Sequence, residues 1–159
     1  MILVLLGTQK YNFNRLLDCI QENIDNGTIK DKVIVQAGHT KFKSKDMEIF
    51  DLIPIDKMSE LMDEADIVIT HGGVGSIVGA LKKQKKIIAM PRLKKYGEVA
   101  NDHQKETVEM FLKNNYIKCA NTAEELSNVL KKINDFIPST YISNTNKIIK
   151  IVEEYIENN

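Results

Sequence analysis

Residues 66–76 read Asp66-Ile67-Val68-Ile69-Thr70-His71-Gly72-Gly73-Val74-Gly75-Ser76. The apolar run Asp66–Thr70 predicts a buried strand, and it passes straight into three glycines and then into a helical pattern over Gly75–Lys83. Glycine takes positive φ at little cost and lets the backbone come close to a ligand. A helix that starts there presents unpaired N–H groups and the positive end of its dipole, which suits a phosphate. Ser76 adds a hydroxyl donor. The plainer alternative is that the glycines only make a tight turn for close packing of strand on helix. His71 by itself is ambiguous, because a histidine at a strand end is often a satisfied structural residue.

Working outward, the same alternation repeats. Met1–Leu6 is an apolar strand that ends at Gly7-Thr8, and Asn12–Ile24 carries apolar residues at helical spacing, with Gly27 just past its end. Lys32–Ala37 predicts a second strand, Met47–Ile53 a weaker third stopped by Pro54, and Lys57–Ala65 a short amphipathic helix. Beyond the glycine loop, Lys86–Met90 predicts a fifth strand ended by Pro91, Asp102–Asn114 a helix, and Tyr116–Cys119 a short sixth strand. Thr122 with Glu125 three residues on is a capping-box signature opening a helix to Ile133, and a last helix is expected over Ser143–Ile156. Continuous Val/Ile runs alternating with helices mark a parallel sheet covered on both faces. The expected fold is therefore a single α/β domain, Rossmann-like and doubly wound. Such sheets bind ligands at the carboxyl ends of their strands.

Composition narrows the function. The 159 residues are 43% hydrophobic and 28% charged, with 22 basic against 22 acidic side chains. Zero net charge gives no global attraction to nucleic acid. No apolar run reaches the roughly 18 to 20 residues of a membrane span, and the N-terminal apolar stretch is too short and lacks the basic leader of a signal peptide. Cys19 and Cys119 make no disulfide framework, and no Cys/His spacing resembles a zinc site. Both cysteines read as core and strand residues, without a basic or histidine neighbour in sequence to activate a thiolate. A soluble, reduced, cytosolic domain is expected.

The glycine pattern Gly73-x-Gly75-x-x-x-Gly79 is one residue too long for a dinucleotide fingerprint and follows the fourth strand instead of the first. The stretch about 20 residues on holds Arg92, Lys94 and Lys95 where an acidic ribose partner belongs, so NAD or NADP chemistry is disfavoured. No GxxxxGK[ST] motif is present. A second polar cluster, Asn101-Asp102-His103-Gln104, follows the fifth strand. Asn and Gln carry the paired donors and acceptors that sugar hydroxyls require, yet Asn101 or Asp102 reads equally as a helix N-cap.

Taken in order, Gly7-Thr8, a strand into His-Gly-Gly-Val-Gly-Ser, a strand ending at Pro91, and then Asn-Asp-His-Gln resemble the C-terminal half of a two-domain GT-B glycosyltransferase of the family 28 type. More narrowly they resemble the Alg13-type proteins, including the PssE-like subunits of polysaccharide synthesis. The resemblance runs from Met1 to about Leu130. It implies a donor-binding subunit of a two-component inverting enzyme. That enzyme would pass a hexose or N-acetylhexosamine, GlcNAc or galactose, from a UDP-sugar to a lipid-linked acceptor. It places the donor diphosphate at Gly7, Thr8, Gly72, Gly73, Gly75 and Ser76, and the donor sugar and nucleoside at His71, Asn101, His103 and Gln104. The loop Gln36–His39 is expected near the donor pocket. No metal and no cofactor is implied, since backbone amides and a helix dipole offset a leaving diphosphate and no Asp-x-Asp motif occurs. Many relatives carry an acidic residue three positions after the loop serine to hold ribose; here that position is Gly79.

One such domain is half of a GT-B cleft. The resemblance implies an Alg14-like (PssD-like), membrane-anchored partner subunit that brings the acceptor and the general base and holds this chain at the cytoplasmic membrane face. The isolated chain is then expected to bind a sugar nucleotide weakly, to transfer nothing unaided, and to be able to form homodimers. A non-catalytic sugar-nucleotide or partner-binding regulatory module is the alternative. The last helix, about residues 143–157, carries Ile148, Ile149, Ile151, Val152, Tyr155 and Ile156 as an apolar face, for packing on its own sheet or for docking the partner. The cation-rich stretch Lys82–Lys95 reads either as helix C-terminal charge and solubility or as a patch for anionic lipid.

Overall fold

The structure, a computed structural model, describes residues 1–142. The chain runs β1 (Ile2–Leu5), α1 (Asn14–Asp25), β2 (Val33–Gln36), β3 (Met47–Phe50), α2 (Ile55–Glu64), β4 (Ile67–Thr70), α3 (Val74–Lys82), β5 (Lys86–Ala89), α4 (His103–Lys113), β6 (Lys118–Cys119) and α5 (Ala123–Lys132). The strands form one sheet in the order β3-β2-β1-β4-β5-β6, every pair parallel. That is the doubly wound order, in which the winding reverses between β1 and β4 and opens a crevice there.

Alternate residues of the central strands feed two separate cores. Ile2, Val4, Val35 and Ile69 pack against α1 and α5, while Leu3, Leu5, Ile34 and Val68 pack against α2, α3 and α4. A strand buried on both faces needs apolar side chains at every position, which is why β1 and β2 read as unbroken Val/Ile/Leu runs. Asn23, buried within α1, joins its own layer by donating to the carbonyls of Cys19 (2.8 Å) and Ala123 (2.9 Å).

The Asn12–Ile24, Lys86–Met90 and Asp102–Asn114 expectations match within two residues. Where the structure differs, local chemistry explains it. The second helix begins at Ile55, because Pro54 sits as its extended cap residue and its carbonyl accepts from Met58 N–H. The sixth strand is cut to two residues because Tyr116 closes the preceding helix: its N–H donates to Phe111 O, and its ring packs edge-on against Phe111 and Tyr141. Thr122 accepts from Glu125 N–H at 3.1 Å as a capping box requires, but the Glu125 carboxylate reaches back to Asn121 N–H instead of the cap residue's own. The helix expected over 143–157 lies outside the described residues.

Register brings the loops to one level. Leu5, Gln36, Thr70 and Ala89 are neighbours across four strands. The loops that begin at Leu6, Ala37, His71 and Met90 therefore rise together from the carboxyl edge.

Candidate functional site

His71 is the centre of this edge. Its N–H and its Nδ1 both meet Leu5 O at 3.1 Å. A carbonyl only accepts, so Nδ1 carries the ring proton and Nε2 presents a lone pair. The ring is wedged between two glycines: a Cβ on Gly7 would stand 2.7 Å from Nε2, and one on Gly73 would stand 2.4 Å from it. Burial pushes the imidazole down to about 4, the nearby Arg92 charge adds to this, and the bond to Leu5 opposes it. His71 is therefore neutral at physiological pH and packs the first turn against the glycine loop.

The three loop glycines have three different duties. Gly72 has φ +90° and a Cβ there would meet Val108 at 2.7 Å, so its bareness lets α4 lie across the loop. Gly73 makes room for the imidazole. Gly75 faces open space, with nothing within 4 Å of the Cβ position. The close-packing explanation thus accounts for Gly72 and Gly73, and leaves Gly75 without a packing reason. Gly73 is the cap residue of α3 and supplies no side chain; the first bond of the helix is Ile77 N–H to Gly73 O. The N–H groups of Val74, Gly75 and Ser76 are left without partners among the described residues, as an uncapped helix start leaves them.

Gly7 takes φ +75° at the turn after β1, and Thr8 beside it is exposed. A Cβ on Gly38 would strike Gly7 O at 2.3 Å, so the Gln36–His39 loop lies directly against this turn. On the other side, Gln104 O lies 3.6 Å from the Cβ position of Gly72. Gly7, His71, Gly72, Gly73 and the first turn of α4 are thus contiguous. In that first turn Asn101 Oδ1 accepts from His103 N–H at 3.3 Å, and His103 Nδ1 lies 3.3 Å from Glu106. Asp102 occupies the cap position without capping; its carboxylate accepts from Lys94 N–H at 2.9 Å. Gln104 Oε1 is buried and has no partner among the described residues.

Sequence reasoning missed the support beneath these loops. Arg92 stands in a cation-rich stretch, yet it is completely buried, not part of a surface patch. It donates to Leu6 O (2.7 Å), Tyr11 O (2.8 Å) and Glu98 O (3.0 Å), and its guanidinium lies 4.8 Å from the Phe13 ring. Burial lowers it only to about 10, with Glu98 holding it up, so it stays charged. Glu98, also buried, accepts two bonds from Arg15 and one from Leu93 N–H. No local pattern marks Arg92 or Glu98, since both sit in an irregular loop.

Other cations of the stretch answer backbone carbonyls near helix ends, as the helix-end alternative predicts: Lys85 meets Asp63 O, and Lys86 meets Ile133 O and Asn134 O. Burial raises the thiols of both cysteines, Cys119 to about 11, which keeps them protonated and unreactive. A cavity of about 540 Å³ lies beside α4 at the same edge, lined by Arg15, Tyr96, Asp102, Lys105, Cys119 and Thr122. Another of about 530 Å³ lies at the opposite end, among Met1, Asp66 and Ile133, far from these loops. No helix among the described residues is long and apolar enough to cross a membrane.

A 3-2-1-4-5-6 parallel sheet with a bare glycine-to-helix turn after β4 defines a Rossmann-like α/β domain, the class that binds its ligand at the carboxyl edge of the strands. The chain belongs to the glycosyltransferase family 28 C-terminal domain family, whose model matches residues 1–158. It is 28% identical over 121 residues to the UDP-N-acetylglucosamine transferase subunit ALG13 of Candida glabrata, covering 74% of this chain and 58% of that protein. An ALG13 of Debaryomyces hansenii is 27% identical over 117 residues, covering 67% and 52%. The chain thus spans little more than half the length of these curated relatives. Among solved structures, the NMR structure of ALG13 superposes with a TM-score of 0.61 at 19% identity, covering 95% of this chain and 94% of that one, a likeness of fold.

Proposed function

We propose that this chain is the donor-binding subunit of a two-component inverting glycosyltransferase. It takes a UDP-sugar and delivers a hexose or N-acetylhexosamine to a lipid-linked acceptor in glycan or polysaccharide synthesis. The observation that carries this reading is the uncapped start of α3, where Gly75 stands open beside three unpartnered N–H groups. The printed activity of the ALG13 relatives, UDP-N-acetylglucosamine transfer, favours GlcNAc as the sugar.

The chemistry follows from the arrangement. Diphosphate oxygens accept from the N–H groups of Val74, Gly75 and Ser76, with Ser76 Oγ and the Gly7-Thr8 turn alongside, and the dipole of α3 offsets the charge that develops on the leaving UDP. Neutral His71 shapes this pocket and adds no charge to it. Asn101 and His103, both exposed, and half-buried Gln104 face the donor sugar. The ribose contact that an acidic residue makes in relatives is absent at Gly79, so ribose recognition is weaker here or comes from elsewhere in the site. The partner, an Alg14-like or PssD-like membrane-anchored subunit, brings the acceptor and the general base and recruits this chain to the cytoplasmic membrane face.

Isothermal titration with UDP, UDP-GlcNAc, UDP-galactose and NADPH tests the reading. Saturable heat with the UDP compounds, absent with NADPH and abolished in Gly75→Asp, is the expected result. Heat with NADPH alone, or binding unaffected by Gly75→Asp, overturns it. Sugar transfer by the purified chain without a partner refutes the two-component part.

A further inference from the structure

The two halves of the proposed donor site stand on loops that share no secondary structure. The diphosphate half is the Gly7-Thr8 turn and the start of α3; the sugar half is Asn101–Gln104, at the end of the Pro91–Asp102 loop. Arg92 is the side chain that spans from one to the other. One Nη donates to Tyr11 O at 2.8 Å and to Glu98 O at 3.0 Å, and the second Nη donates to Leu6 O at 2.7 Å. Leu6 is the residue before Gly7. The Phe13 ring, 4.8 Å away, fixes the plane of the guanidinium.

From Arg92 a short chain of contacts runs to the sugar-facing turn. Glu98, whose carbonyl Arg92 holds, pins Leu93 N–H with its carboxylate at 2.9 Å. The next residue, Lys94, donates its N–H to Asp102 at 2.9 Å, and Asn101 Oδ1 accepts from His103 N–H. Just past its far end, Gln104 O in the first turn of α4 lies 3.6 Å from the Cβ position of Gly72. Arg92 itself is wholly buried, so it does not touch a bound ligand.

We propose that Arg92 is a positioning residue for donor binding: by fastening the Pro91–Asp102 loop to the carbonyl end of β1, it sets the distance between the diphosphate and sugar halves of the site. This rests on the donor-site reading above. A planar fork with fixed donor directions is what the task requires; a lysine ammonium carries its three donors on one nitrogen at the end of a flexible stem and does not reproduce the fixed spacing of the two Nη atoms.

The two ligands UDP and UDP-GlcNAc separate positioning from mere folding. The diphosphate half keeps its place without Arg92, because α3 starts from β4 and the end of β1 is held by Leu6 N–H to Gln36 O at 3.0 Å, so Arg92→Lys is expected to leave UDP affinity within about threefold of wild type. UDP-GlcNAc affinity should fall by tenfold or more. Gln104→Ala should produce the same selective loss, and the double variant should lose little beyond either single one. If Arg92→Lys unfolds, Glu98→Gln replaces it, because it keeps the carbonyl that Arg92 uses and loosens only the carboxylate contacts; the same selective loss is expected. Equal losses for both ligands, or none for either, overturn the positioning role. A wild-type chain that binds neither ligand removes the donor-site reading itself, a different result from a wild type that binds both and a variant that shows no selectivity.

Discussion

Arg15 and Glu98 meet through two parallel hydrogen bonds, Nε to Oε1 and Nη2 to Oε2, both 2.8 Å, across 83 residues of sequence. The same guanidinium donates to Pro91 O and Asn121 O, so one side chain on α1 holds the start of the β5–α4 loop and the start of α5. Glu98→Ala leaves Arg15 with two of its four hydrogen bonds and Leu93 N–H with none. Removing one member of a buried pair costs about 3 kcal/mol, and urea unfolding should show it. The exposed Lys41–Asp51 pair is the contrast: Asp51→Ala should shift stability by less than about 1 kcal/mol.

His71 predicts an acid sensitivity. Its folded value is about 4, below the ordinary 6.5 of an unfolded chain, because burial disfavours the charged ring. Above pH 6.5 both states are neutral and the contribution is complete. As pH falls from 6.5 toward 4 the unfolded chain takes up a proton that the folded one refuses, so stability drops. Between pH 7 and pH 5 the loss is about 2 kcal/mol. His71→Asn, compared with wild type in urea at the two pH values, should abolish this part of the slope.

The glycine loop predicts opposite results two residues apart. Gly73→Ala drives a methyl into His71, and overpacking of this kind costs about 1 to 3 kcal/mol. Gly75→Ala meets nothing and should leave the melting temperature unchanged or raise it, while weakening UDP binding by filling the space before the N–H groups. Thermal melts beside titration calorimetry read both. Loss of stability in Gly75→Ala, with UDP binding intact, contradicts the assignment.

Thr122→Ala tests the cap of α5. Losing the bond from Glu125 N–H should cost about 1 kcal/mol, seen as a lower urea midpoint with an unchanged slope.

The fold was legible because its signals are local. Apolar runs of four or five residues ended by glycine or proline marked the strands, and 3.6-residue spacing marked the helices on either face. The candidate site was legible where glycines and polar clusters stand next to one another in sequence, at Gly72–Ser76 and Asn101–Gln104. The boundary of β6 was less so, because Tyr116 is strand-like in type but is captured by aromatic neighbours, Phe111 five residues back and Tyr141 much later.

By itself the sequence determined the alternation of strands and helices, the glycine turn after β4 and the capped start of α5, since each depends on residues within a few positions of one another. Only the tertiary structure decided that Arg92 is a buried strut, that His71 is a neutral wedge, and that Gly75 alone of the loop glycines faces open space. Those facts arise from contacts such as Arg92 to Leu6, 86 residues apart. Such contacts exist because parallel crossovers bring the carboxyl ends of β1, β4 and β5 to one level, and no local pattern encodes which loop then lies beneath which.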